Sequence, residues 1–315
     1  MTTRDAAHLA RLGTEQAGSE FSDLDRLPVP ELVQLLTSQA RRAGDAVAEA
    51  SGQIARVVEA VVKRLAIGGR LIYVGAGTAG RIGMLDAAEA APTFSVPDGT
   101  IAAVLAGGQQ AFGRSVENVE DDPRAGADAL DRLGVSERDA VLGISASGRT
   151  PFVLGAMRRA NELGAPTACL ACNEGTPLGK LAQYPIEIRV GPEAIAGSTR
   201  MNAGTVQKIV LNTISTAAMV RLGKTYGSLM VDVRPTNYKL RQRAIRIVSE
   251  ITGLPDHEAR RALMVSSWRP KVACIVASCR LDPDQATALL DKYGGRLREA
   301  LNAAARGAPA LPPPT

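Results

Sequence analysis

Between residues 71 and 89 the chain passes from a short apolar run, Leu71-Ile-Tyr-Val74, through the turn Gly75-Ala-Gly-Thr-Ala-Gly80 into residues with helical spacing. A strand, a glycine-rich turn and a helix in that order constrain the fold more than any other stretch. They belong to a layered α/β domain in which the turn offers backbone N–H groups to an anion. A second turn of small residues, Ser145-Ala-Ser-Gly-Arg-Thr150, follows a later apolar run, and the chain has only two histidines. Hydrophobic residues make up 45% of the chain and aromatics 3%. The core is therefore aliphatic, which suits helices over a parallel sheet better than an aromatic-rich β-sandwich.

Taken in order, residues 1–29 carry little pattern and read as an extended arm. Apolar residues then recur at helical spacing to about Leu65, as one helix pair or a broken long helix, which Gly68-Gly69 stops. Short apolar runs predict strands over 71–74, 100–105, 140–144, 166–171 and 186–190. Between and after them, helices are predicted over 78–89, much of 110–133, 151–163 and 202–222. Strands alternating with helices imply a parallel sheet covered on both faces. Beyond residue 238 only helical patterns remain, over 245–252, 256–264, 272–279, 282–293 and 297–305, with Asp282-Pro-Asp and Leu254-Pro-Asp as helix starts. The Pro-rich tail from Pro309 reads as disordered.

Composition excludes several classes. No apolar run reaches the roughly 18 residues of a membrane span, and the N-terminus lacks a basic region followed by an apolar one, so a cytoplasmic protein is expected. The net charge of +5 is spread along the chain, without the concentrated basic stripe and interleaved aromatics of a nucleic-acid surface. Cys169 and Cys172 have a spacing that formally allows zinc or redox chemistry. They lie in an apolar run, however, and on a strand would face opposite ways, which makes them core thiols.

Gly75, Gly77 and Gly80 match G-x-G-x-x-G literally. A dinucleotide site would also need an acidic residue at the end of the second strand to hold the ribose. That strand ends Leu105-Ala-Gly-Gly-Gln109, and Asp98 precedes it, so a nicotinamide cofactor is disfavoured. In the second turn three hydroxyls gather at a helix start, with Thr150 placed to be the N-cap and Pro151 the first helical residue. Helix-start N–H groups and hydroxyls together suit a phosphate monoester. An ordinary capped helix, its serines bonded to their own backbone, fits the same residues.

The Ser-x-Ser-Gly-x-Thr turn after a parallel strand resembles the phosphosugar-binding loop of sugar isomerase (SIS) domains. Within that group the chain closely resembles the N-acetylmuramic acid 6-phosphate etherase family. The likeness runs from Gly69–Thr78 through Leu85-Asp-Ala, Pro92-Thr-Phe94, Ala146–Pro151, Gly197–Met201 and Ala203-Gly-Thr205 to Leu229-Met-Val-Asp232. It implies a flavodoxin-like three-layer α/β/α SIS domain with a five-stranded parallel sheet over 50–228. An N-terminal arm and helix (1–49) would precede it, and a C-terminal helical module (238–305) would follow. It implies a cofactor-free and metal-free lyase acting on a phosphorylated amino sugar, without nucleic acid or membrane, as a homodimer whose sites draw residues from both subunits.

The implied reaction removes the D-lactyl ether from carbon 3 by elimination through the open-chain aldehyde, then adds water to give N-acetylglucosamine 6-phosphate. Two carboxyl groups in different environments can serve as the acid and the base. The resemblance places the acid at Glu89 and the base at Glu120. It places phosphate binding at Ser145, Ser147, Gly148 and Thr150, with Thr78, Ser198, Thr199 and Arg200 near the sugar. From the residues alone, each glutamate fits an exposed helix face or end equally well. Three departures stand out against the family pattern: Ala79 for a usual Ser, alanines at 88, 90 and 91 around the acid, and Asn202 for a common lysine close to the expected pocket. A phosphosugar isomerase, or a non-catalytic phosphosugar-sensing regulator like the glucokinase regulatory protein, would share the phosphate loop without the acid–base pair.

Overall fold

A computed structural model describes residues 12–307. Their contacts group into two units, one of residues up to 90 with 97–218, the other of 91–96 with residues from 219 onward.

The first unit begins with short 3-10 turns at Gly13–Glu15, Ser19–Phe21 and Leu24–Arg26, followed by the helix pair α1 (Val29–Glu49) and α2 (Ser51–Ala66). The sheet follows as β1 (Leu71–Gly75), α3 (Gly77–Phe94), β2 (Ile101–Leu105), α4 (Gln110–Gly113), α5 (Pro123–Arg132), β3 (Ala140–Ser145), α6 (Pro151–Glu162), β4 (Thr167–Ala171), α7 (Pro177–Leu181), β5 (Tyr184–Glu187) and α8 (Asn202–Arg221). All five strands are parallel, in the order β2-β1-β3-β4-β5. One face carries Ile72, Val74, Val141 and Cys169 under Leu130, Phe152, Val153 and Met157 of α5 and α6. On the other, Leu71 and Leu142 meet Val57 and Val61 of α2, while Tyr73 donates to Asp86 of α3 at 2.8 Å. This is the three-layer α/β/α architecture expected from the alternating pattern.

Several expectations need correction. Of the expected arm, the described residues 12–28 are not free of the domain: Thr14 is fully buried, Leu12 and Phe21 nearly so, and Asn173 Nδ2 donates to Thr14 Oγ1 at 3.1 Å. The single helix over much of 110–133 is two, because Asp122 accepts from the N–H groups of Arg124 and Ala125 and starts a new helix at Pro123. The acidic run 117–122 is thus loop. β5 begins at Tyr184 and includes Pro185, which an edge strand tolerates since it need not donate on its open side. Cys169 and Cys172 are buried free thiols. Burial pushes Cys169 up to about 12 and Cys172 higher, which keeps both protonated and unreactive. The tail from Pro309 lies outside the described residues.

The second unit holds a small antiparallel hairpin, β6 (Thr225–Tyr226) with β7 (Leu229–Met230), which is absent from the expected elements and turns at Gly227-Ser228. Five helices follow: α9 (Tyr238–Thr252), α10 (Asp256–Val265), α11 (Pro270–Cys279), α12 (Pro283–Lys292) and α13 (Leu297–Gly307). They enclose a separate core that includes Val248, Leu263, Ile275 and Leu297. As the sequence indicates, Asp282 opens α12, here through a reciprocal capping box with Gln285.

Candidate active site

The strand order determines where a site can form. β1 and β3 are neighbours, and their connections leave toward opposite edges, so a crevice opens beyond their C-terminal ends. Gly75 pairs with Ile144 across that end of the sheet, which sets the two small-residue turns side by side. The first turn is tight because a Cβ on Gly75 would lie 2.6 Å from the Gly80 nitrogen, and one on Gly80 would lie 2.7 Å from the Gly75 oxygen. These glycines let α3 start hard against β1, which explains their spacing without a dinucleotide.

In the second turn Gly148 has φ +65°, and a Cβ there would fall 2.4 Å from the Thr176 side chain. The turn leaves its hydroxyls close together, with Ser145 Oγ 2.8 Å from Thr150 Oγ1 and 3.4 Å from Ser147 Oγ. Ser145 Oγ accepts from the Gly148 N–H and Ser147 Oγ from the Arg149 N–H. A hydroxyl can donate while its oxygen accepts, so these backbone bonds leave the cluster's hydroxyl protons in place. Thr150 does occupy the N-cap position of α6, with Pro151 next, but its side chain makes no capping bond and turns to Ser145 instead.

A cavity of about 240 Å³ collects these groups: Thr78 and Ala79 from the first turn, Ser145, Ser147 and Thr150 from the second, then Glu120, Thr199 and Gln207. It falls below the roughly 300–1,000 Å³ common for ligand sites, too small for a dinucleotide. Glu120 is held beside the serine turn through its backbone, since its carbonyl accepts from the Phe152 N–H at 3.0 Å. Behind that bond α5 and α6 touch backbone to backbone: a Cβ on Gly155 would lie 1.9 Å from the Pro123 oxygen, and one on Gly126 would lie 2.0 Å from the Phe152 oxygen.

Of the residues expected to act, Thr78, Glu120, Ser145, Ser147, Thr150 and Thr199 line the cavity, while Gly148 shapes its turn. Ser198 and Arg200 flank Thr199 without lining it. Glu89 is exposed on α3 and is not part of the cavity wall of a single chain. Asn202 also differs from expectation. It is buried, its Nδ2 donates to Gln39, and its backbone N–H donates to the fully buried Glu193, so the position faces the packing of α1 on α8 and not the cavity. Ala79 does line the cavity, where a serine would have added a hydroxyl.

Two cavity residues escaped the sequence reading. Glu15 reaches the cavity because the N-terminal turns pack against the segment at Gly197, a contact that no local pattern signals. Gln207 had a visible mark: it is a glutamine on the helix face that also carries Ala203, Val206, Val210 and Leu211, all fully buried.

Residues 53–161 match the glucokinase regulatory protein N-terminal SIS domain and residues 111–217 the SIS domain. N-acetylmuramic acid 6-phosphate etherase of Rubrobacter xylanophilus is 52% identical over 93% of this chain and 97% of its own. The chain belongs to the N-acetylmuramic acid 6-phosphate etherase family. Members from Streptomyces coelicolor and Cronobacter sakazakii are 46% and 44% identical over 95% and 93% of this chain and over 96% and 99% of their own lengths. The family likeness therefore extends through both units, well beyond the SIS domain. Among the described residues no helix is long and apolar enough to cross a membrane.

Proposed function

We propose that this protein is an N-acetylmuramic acid 6-phosphate etherase, a carbon–oxygen lyase that releases D-lactate and leaves N-acetylglucosamine 6-phosphate. The observation that carries the proposal is that one cavity, in a chain of this family, joins a hydroxyl-lined helix start to a carboxylate. The hydroxyls of Ser145, Ser147 and Thr150 hold the phosphate. Thr78 and the segment 198–200 border the sugar. Glu120 removes the proton from carbon 2 of the open-chain aldehyde, where the adjacent carbonyl makes that proton acidic. The C3–O bond breaks as the C2–C3 double bond forms, and the departing lactate oxygen takes a proton from the general acid. Water then adds at carbon 3 while a proton returns to carbon 2.

Glu89 is the proposed acid. Because it is exposed and outside the cavity wall of one chain, we assign it to the site of a second copy in a homodimer. The free, buried cysteines suit a reducing cytoplasm. Incubation of the purified protein with N-acetylmuramic acid 6-phosphate, with D-lactate as the readout, tests the activity. Wild-type protein that binds the sugar phosphate and releases no lactate would remove the lyase and favour a sensor like the glucokinase regulatory protein, whose SIS domain residues 53–161 match.

A further inference from the structure

Gln207 stands out among the cavity residues because the fold gives its side chain no partner. It is 1% exposed, it lines the cavity with Thr78, Glu120 and the serine turn, and among the described residues neither its carbonyl oxygen nor its amide nitrogen has a hydrogen bond. Burying an amide with both its polar groups unmet is destabilising. The helix face around it is aliphatic, so a methionine or leucine would pack there without that cost.

We infer that Gln207 is the residue that recognises the sugar portion of the ligand, its carboxamide both giving and accepting a hydrogen bond with a neutral group, a hydroxyl or an acetamido. This deepens the proposed phosphosugar site and rests on it. The division of labour follows from charge. Glu15 and Glu120 line the same cavity and repel a phosphate, so the phosphate belongs at the serine turn. A neutral carboxamide has nothing to offer a dianion that the serines do not, whereas it matches a group that is donor and acceptor at once. The start of α8 is held close to the first turn, since a Cβ on Gly204 would meet the Thr78 methyl at 3.4 Å, which keeps Gln207 at a fixed distance from the phosphate end.

The test compares wild type with Gln207→Met, of similar size and without the amide, and with Gln207→Glu. Affinities are measured for inorganic phosphate, glucose 6-phosphate and N-acetylglucosamine 6-phosphate, alongside the melting temperature of the unliganded protein. The expected result is that Gln207→Met melts at or above wild type, binds inorganic phosphate equally well, and loses about 10- to 100-fold in affinity for the sugar phosphate that Gln207 contacts. Loss for N-acetylglucosamine 6-phosphate alone identifies the acetamido group, and loss for both sugars a hydroxyl. Unchanged sugar phosphate affinity in Gln207→Met and Gln207→Glu overturns the inference while leaving the proposed function intact. Equal loss for inorganic phosphate and sugar phosphates, with a lowered melting temperature, also overturns it by showing a structural role. Wild-type protein that binds none of the three probes removes the phosphosugar site itself.

Discussion

The chemistry of single residues in the cavity is separable, because phosphate holding and proton transfer fall to different groups. Replacing Glu120 by Gln keeps the shape and removes the base. Turnover should fall about 10²- to 10⁴-fold with little change in phosphosugar affinity, as D-lactate release and direct binding would report. Ser145→Ala and Thr150→Val act on the other end. Each removes a hydroxyl from the cluster around Ser145, and a lost bond to a charged group is worth about 1.5–3 kcal/mol. KM should therefore rise about 10- to 100-fold with kcat much less affected. If instead Glu120→Gln weakens phosphate binding as much as Ser145→Ala does, the assigned division is wrong. The serine turn was visible in the sequence as small residues between a strand and a helix, but its role came from the family resemblance, since an ordinary capped helix fits the same residues. Glu120 was legible only through family resemblance, since its acidic run has no periodicity and folds as loop.

At the scale of elements, close backbone approaches place these residues, and glycines permit them. The contact of α5 with α6 at Gly126 and Gly155 supports the bond that suspends Glu120 from Phe152. Gly155→Ala would force that contact apart, costing about 2–3 kcal/mol of stability and displacing Glu120, visible as a lower urea midpoint together with reduced turnover. Gly44→Ala is the matched control. It lies in α1 with no atom near its Cβ position, so it should stabilise by about 0.5–1 kcal/mol through helix propensity alone. A second tie joins β1, α3 and α8, where the buried Asp86 accepts from Tyr73, Asn212 and Ser215. Burial first, then the Asp86 charge, holds the Tyr73 hydroxyl well above its usual pKa, so it remains a donor to this carboxylate.

Across the whole molecule, the opposite end of the sheet carries its own electrostatic clamp. Asp139, just before β3, accepts from the Arg70 backbone and guanidinium just before β1, and from the Ser136 N–H. Burial alone would raise its pKa, but the Arg70 hydrogen bonds and charge prevail and bring it below the ordinary value. A carboxyl depressed on folding contributes stability that is complete above its unfolded pKa, near 3.9, and lost as pH falls through the lower folded value. Asp139→Asn should therefore lower the urea midpoint at neutral pH, and the gap to wild type should narrow only below about pH 4. The proposed dimer has its own test. If Glu89 and Glu120 meet across two copies, mixed dimers of Glu89→Gln and Glu120→Gln should recover activity that neither variant shows alone; if both act within one chain, mixing restores nothing.

Local pattern by itself determined the alternation of strands and helices, the glycine and serine turns, and the capped start of α12, because each is set by neighbours within a few residues. It mis-set the helix break at Asp122 and the start of β5, where a cap and an edge position outweighed the apolar pattern. Tertiary structure alone decided that the two turns lie together, since that follows from β1 and β3 being adjacent in the sheet. It also brought Glu15 and Gln207 into the cavity, faced Asn202 away from it and left Glu89 on the surface. These are consequences of packing between segments far apart in the chain, and no window of sequence contains both partners.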